Sequence, residues 1–351
     1  MEIYQQRIIT RVIVACLLWM VASLAGAVVS QKLFESEVIV RSQAPAERAQ
    51  AMQSALEEVL VRVAGQNSVL ETEPARALLQ KPSRLVQQYR YFTVPDSNPP
   101  VLKLWVRFDG DAIRQSLQQQ GLAYWGAERP DTLVWLAVED RGQRYVVSAD
   151  DESEVHQQIV QVARQRGVPI LFPLMDLEDQ SQARFSDIWG GFFEHVLTAS
   201  ARYNPQAVLI GRLNRSTSGG WSARWYMDVA GKPASWSDSR QQLDALLQQG
   251  MDDTADHLAS RFAVASNSGS ANVVSISVDG VHSLAAYARI NEYLRSLATV
   301  IDLQVEQVYG SQLQYSLQLN GGLQDLTRTV SIGTVLEPVT GGVPGNFRLR
   351  Q

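Results

Sequence analysis

Four carboxylates and a tryptophan sit in and just beyond a loop that follows an apolar run. Val168-Pro169-Ile170-Leu171-Phe172 reads as a buried strand, and it delivers Asp176, Glu178 and Asp179 into the segment behind it. Asp187 and Trp189 follow where a helix is expected to begin. Open α/β sheets present ligand-binding groups in the loops beyond the carboxyl ends of their strands. Clustered carboxylates could hold a hard cation through oxygen ligands, or they could receive a cationic group of a partner. Asp176, Glu178, Asp179, Asp187 and Trp189 are therefore the candidate partner-binding residues. A purely structural explanation competes with this one. Ser186 would cap the helix, Asp187 would favour its positive end, and the remaining acids would solvate a loop. The spacing departs from the calcium-loop pattern D-x-[DN]-x-[DN]-G-x5-E, so no metal is assigned.

Other catalytic chemistries lack their residues. The histidines are His156, His195, His257 and His282, and no two stand at the H-E-x-x-H spacing of a zinc site. There is no G-x-S-x-G, no lysine three residues after a serine, and no G-x-x-x-x-G-K-[ST] phosphate cradle. Asp252 and Asp253 near His257 fit the polar face of a helix better than an acid–base pair. No cofactor is expected. The function expected is binding without catalysis. Two alternatives remain open: a metal-assisted hydrolase using acids of the 174–189 loop, and a module that binds glycan or lipid. Seven of the eight tryptophans lie between Trp105 and Trp236. Trp221 and Trp225 share the apolar phase of one strand and read as core. Trp125 and Trp236 lie in less regular segments and are expected to make exposed contacts.

The elements that must position these residues form three units. The first runs from about 33 to 126. It has a strand at 37–41, and then a helix over 46–64 in which Met52, Ala55, Leu56, Val59, Leu60 and Val63 recur at helical spacing. Gly65 ends that helix. Leu102, Leu104, Val106 and Phe108 alternate as a strand, and Asp109 opens a helix that runs through Gln119. The second unit, 130–264, contains the continuous apolar strand Leu133–Val138, which should be covered on both faces. Buried strands at 168–172 and 207–210 and an alternating strand at 221–229 follow, with Gly219-Gly220 in the turn before the last. Its closing helix carries Leu243, Leu246, Leu247, Met251, Ala255, Leu258 and Phe262. Residues 265–271 form a polar linker. The third unit, 272–338, reads β-α-β-β-α-β, and 339–351 reads as a flexible tail. The fold class is α/β (α+β), with three small mixed sheets under helical cover.

The start of the chain carries an address. Arg7 and Arg11 precede the apolar stretch Val12–Leu24, and Ala25-Gly26-Ala27 supplies a small-residue cleavage pattern. Together these features read as a signal peptide over residues 1–27, so the protein is expected to be exported to the periplasm. The apolar stretch is shorter than the ~20 residues a membrane span needs. Retention of this segment would leave a membrane anchor. Ile13-Val14-Ala15-Cys16 also matches a lipoprotein processing site, but only four residues separate Arg11 from Cys16, fewer than the roughly 7–15 of a signal core. Cleavage would remove the single cysteine, so stability must come from apolar burial, for which the 45% hydrophobic content suffices. The net charge of −5 and the four dispersed lysines offer no basic stripe, which excludes nucleic acid as a partner on electrostatic grounds.

Several blocks, taken in order, resemble a known family. They are Val59-Leu60-Val61-Arg62-Val63-Ala64-Gly65, Gln87-Gln88-Tyr89-Arg90-Tyr91, Leu104-Trp105-Val106-Arg107-Phe108, Trp125-Gly126, Arg129-Pro130, Val134-Trp135-Leu136-Ala137-Val138, Pro173–Asp179 and Trp189-Gly190-Gly191-Phe192. This order is similar to the bacterial envelope proteins of domain of unknown function 2066. The resemblance implies a secreted Gram-negative protein without assigned activity, and it supplies no catalytic residues. Residues 131–236 also resemble, in pattern alone, the amino-terminal module of TolB and related periplasmic assembly proteins. That likeness implies contact with an envelope protein complex or a cell-wall component.

Overall fold

The computed structural model describes residues 32–95, 99–217, 219–265, 272–339 and 341–350. The signal segment and nearly all of the 265–271 linker lie outside the described residues. The protein is α/β, with helices and strands in mixed sheets.

Three sheets with separate cores organise the chain. The first is antiparallel: β1 (Glu35–Ile39), β3 (Leu102–Phe108) and β2 (Val86–Thr93), in the order β1-β3-β2. Helix α1 (Pro45–Ala64) covers it, burying Ala55, Leu56, Val59 and Leu60 against Leu104, Val106 and Phe108. Helix α2 (Glu73–Leu79) is capped by Thr72, and α3 (Gly110–Gln119) by Asp109, whose carboxylate accepts from the Ala112 amide at 3.0 Å.

The central sheet holds β5 (Thr132–Asp140), β6 (Gln143–Val146), β7 (Ile170–Leu171), β8 (Ala207–Arg215), β9 (Trp221–Val229) and β10 (Lys232–Arg240). The order is β10-β9-β8-β5-β6, with β7 pairing β5 on the β6 side. The β5–β8 and β5–β7 pairs are parallel, and the remaining pairs are antiparallel. As the unbroken apolar run predicts, β5 is buried on both faces. Val134, Leu136 and Val138 pack under α4 (Glu154–Arg166) and α8 (Leu243–Phe262). Leu133, Trp135 and Ala137 pack under a layer of three short helices: α5 (Leu177–Gln182), α6 (Phe185–Gly190) and α7 (Phe193–Ser200).

The third sheet runs β13 (Val300–Tyr309), β14 (Gln312–Leu319), β12 (Asn272–Asp279), β16 (Asn346–Leu349), β15 (Leu336–Pro338), under α9 (Leu284–Ser296) and α10 (Leu323–Ile332). The 339–351 segment is therefore not a flexible tail along its whole length. Residues 346–349 form a strand parallel to β12 and antiparallel to β15, and Phe347 is buried. Phe347 and Leu349 alternate with Asn346 and Arg348, but over only four residues, too short a run to stand out in the sequence; pairing on both edges holds them. A two-residue ladder between β4 (Ala123–Tyr124) and β11 (Val264–Ala265) ties the end of the first unit to the end of the second.

Between the first two cores lies a junction built from three arginines. Helices α1 and α4 both end in left-handed glycines, Gly65 at φ 84° and Gly167 at φ 67°, and their last carbonyls converge. Arg129 answers them. Its Nη2 donates to the Arg62 and Trp125 carbonyls, its Nη1 to those of Arg166 and Gly167, and its Nε to that of Gly126. The guanidinium also lies 4.0 Å above the Trp125 ring. Arg62 donates to the carbonyls of Gln165 and Glu35 at 2.7 and 2.6 Å. Arg166 reaches the Gly65 carbonyl at 3.0 Å and pairs with Asp252 and Asp256. Cations are favourable at helix carboxyl ends because the unsatisfied carbonyls carry partial negative charge.

Candidate functional site

The acidic loop begins with a residue in an uncommon conformation. Met175 lies in the left-handed region at φ 52°, which turns the chain sharply out of the loop behind β7. Asp176 then caps α5, its Oδ1 accepting from the Glu178 and Asp179 amides at 3.1 and 3.0 Å. Both Asp176 oxygens also receive Arg202, at 2.8 and 2.9 Å. This fork-to-fork hydrogen bonding by Arg202 lowers the Asp176 pKa to about 2, with the Asp179 amide reinforcing it. Arg202 is raised in return.

Asp179 lies deeper, only 1% exposed. It accepts from the Met175 amide at 2.9 Å, the Tyr203 hydroxyl at 2.6 Å and Arg202 at 3.1 Å. Tyr203 in turn accepts from the Leu174 amide at 2.9 Å. Burial raises the Tyr203 phenol pKa, and its bond to the Asp179 carboxylate adds to the effect. Glu178 completes the group more loosely, 3.6 Å from Arg202. The structure thus gathers Asp176, Glu178 and Asp179 around one guanidinium. Every strong acceptor of Asp176 and Asp179 is engaged within the chain.

Asp187 and Trp189 belong to a different piece of the layer. The helix begins after Arg184 rather than after Ser186, which lies inside its first turn. Asp187 Oδ2 accepts from the Arg184 amide at 2.8 Å, and His195 stands 3.7 Å away. The Trp189 ring stacks on Phe185 with centroids 5.2 Å apart, and its carbonyl accepts from Arg212 at 2.6 Å. Neither side chain joins the Arg202 group.

What the sequence did not reveal is the apolar character of this layer's outer surface. Leu177 is 87% exposed, Phe192 59% and Leu174 56%, with Leu171 half-exposed beside them in sequence. No periodicity marks Leu174, Leu177 and Phe192, because they lie in loops and at the starts of short helices. The only signal was the run Pro173-Leu174-Met175-Asp176-Leu177, whose leucines have no alternating partner.

The remaining candidates resolve as structure. Trp125, expected to make exposed contacts, is fully buried under Arg129 because β4 draws its segment between the cores. Trp236 is half-buried and stacks on His257 with centroids 4.7 Å apart. His257 Nδ1 lies 2.8 Å from the Asp253 carbonyl, and Asp252 serves Arg166. Burial raises the Asp252 and Asp256 pKa values against the opposing pull of Arg166. Among the described residues no group of three or more His, Cys, Asp or Glu side chains is arranged to hold a metal ion. No helix among them is long and apolar enough to cross a membrane.

Comparisons with known proteins add little to this geometry. A family model described as a domain of unknown function (DUF8605) matches residues 27–126, a different family from the one the sequence blocks resemble. No curated protein matches the sequence. A solved structure of an uncharacterized protein is 13% identical with a TM-score of 0.19, covering 38% of this chain and 91% of its own. A formyltetrahydrofolate deformylase from Pseudomonas putida KT2440 is 11% identical with a TM-score of 0.14, covering 53% of this chain and 86% of its own.

Proposed function

We propose that this protein is a non-catalytic accessory factor of the bacterial cell envelope, exported to the periplasm, which binds a protein partner through the α5–α7 layer. One observation carries the reading. The layer leaves Leu174, Leu177 and Phe192 in solvent while Asp176 and Asp179 are tied to Arg202. Contiguous exposed apolar patches mark protein-binding surfaces, and this reading takes Leu174, Leu177 and Phe192 as one such patch, whereas a hydrolytic centre would need carboxylates free to take a metal or a proton. Arg202 already occupies the place a cation would take. In this reading Asp176 and Asp179 hold the shape of the surface, and Leu174, Leu177, Phe192 and the rim acid Glu178 make the contact. Residues 1–27 direct export and, if retained, tether the protein to the membrane.

The test places a photo-crosslinking amino acid at Leu177, at Phe192 and, as a control, at Leu284 in the third unit, which is exposed to nearly the same extent as Leu177. In intact cells a discrete adduct with the same envelope protein is expected from the first two positions and not from the third. The reading is overturned if all three positions give the same adducts, or if the protein fractionates with the cytoplasm.

A further inference from the structure

On the other face of the central sheet, at the carboxyl ends of β5 and β8, the chain opens into a cleft of about 460 Å³. Such a volume falls within the roughly 300–1,000 Å³ of small-molecule sites, and crevices at strand carboxyl ends are where open α/β sheets bind ligands. Asp140 ends β5 and Arg215 ends β8. Tyr145 comes from β6, Glu154 and Gln158 from the first turns of α4, Trp221 from the start of β9, and Asp244 from the first turn of α8.

Charge and hydrogen-bonding capacity narrow the ligand. Arg215 lies 5.5 Å over the Trp221 ring and meets Asp140 only at 3.4 and 3.5 Å, so both keep capacity for another partner. Glu154 takes the Gln158 amide nitrogen at 2.8 Å, which fixes that amide and leaves its Oε1 shielded from solvent with no donor. Among the described residues the donor bonded to Asp244 is the neighbouring Ala245 amide, at 2.8 Å. Three carboxylates disfavour an anion. Glu154 and Asp244 lie at the positive ends of two helices, which offsets much of their pull on a cation. A cation, having no acceptor, would also leave Arg215 unanswered. A hydroxyl donates once and accepts twice, so a group bearing several hydroxyls satisfies carboxylates and guanidinium together.

We propose that this cleft is a binding site for a neutral saccharide of one or two rings, separate from the protein-binding layer and not dependent on it. Glu154 and Asp244 accept from ring hydroxyls, Arg215 donates to them, Gln158 holds Glu154 in place through its amide nitrogen, and Tyr145 and Trp221 wall the site.

Titration calorimetry and tryptophan fluorescence on the full chain test it with glucose, N-acetylglucosamine, maltose and N,N′-diacetylchitobiose. Spermidine and inorganic phosphate serve as charged controls. At least one sugar is expected to bind saturably, with binding weakened tenfold or more in both Asp244→Ala and Gln158→Leu. The monosaccharide and disaccharide arms then separate a free sugar from a segment of polymeric glycan. Saturable binding of a control but no sugar, absence of binding by all four sugars, or affinity unchanged in both variants overturns the proposal. Circular dichroism establishes that each variant is folded, and the crosslinking pattern at Leu177 is unaffected by either outcome.

Discussion

Arg129 Nη2 donates to the carbonyl oxygen of Arg62 at 2.8 Å, so a side chain that opens the central unit closes the last turn of a helix in the first. Among the described residues no carboxylate pairs with it. Five backbone carbonyls take its donors, and burial, with Arg62 adding repulsion, lowers its pKa to about 9. Replacing Arg129 with methionine keeps apolar volume over Trp125 but orphans those carbonyls. The expected cost is about 3–5 kcal/mol, since each buried unsatisfied acceptor costs about 1–3 kcal/mol and some will recruit water. Urea unfolding should show a lower midpoint with an unchanged slope. Arg129→Lys should recover only part of the loss, because an ammonium cannot span carbonyls from two helices.

Gly65 is constrained twice. Its φ of 84° disfavours any side chain, and a Cβ there would collide with the Ala259 methyl of α8. Gly65→Ala is expected to destabilise by about 2–4 kcal/mol, from strain and overpacking together. Ala259→Gly alone should cost about 1 kcal/mol for a helical glycine. The double variant should be more stable than the sum of the two losses predicts, which a double-mutant cycle in urea measures directly.

The Asp176–Arg202 pair gives an acid-sensitive contribution. Asp176 has its folded pKa lowered to about 2, against about 3.9 in an unfolded chain. Its stabilisation is therefore fully present above about pH 4 and is lost as the pH falls towards 2. Asp176→Asn should be less stable than the parent at pH 6, with the gap closing below pH 3 in parallel thermal melts. A gap independent of pH would mean that the helix cap, and not the charge, matters.

Glu128 works in the opposite sense. Burial raises its pKa, and its carboxylate faces Gly333 beside the buried Tyr293 hydroxyl, whose own pKa is raised by burial and then by Glu128. Ionisation of Glu128 therefore costs stability as the pH rises from about 4.3, the unfolded value, through its raised folded pKa. Glu128→Gln should raise Tm at pH 7, and the advantage should shrink as the pH approaches 4.

The sheets were readable where burial imposes a period. Leu133–Val138 announced a strand covered on both faces, and Trp221, Ala223, Trp225, Met227 and Val229 announced one with an apolar side; both exist, and β9 pairs with β8 antiparallel. The neighbour of β9 was not readable. Lys232–Arg240 is an edge strand whose only large apolar side chain is Trp236, so it carries no alternation to detect. The acidic loop was legible as a cluster but its neutralisation was not. Arg202 lies 26 residues beyond Asp176, and only the fold brings them together. The three junction arginines were likewise invisible, since an arginine that serves carbonyls looks the same in sequence as one that serves water.

The strand at 346–349 has a consequence for biogenesis. It fills the slot between β12 and β15, and its parallel partner β12 begins at Asn272, more than 70 residues earlier. A polypeptide emerging from its amino-terminal side would expose the open flank of β12 until this late segment arrived. Such an unpaired edge is a template for intermolecular pairing, and contacts so distant along the chain close slowly. Efficient production of the protein should therefore depend on a holding chaperone in whichever compartment completes its third sheet.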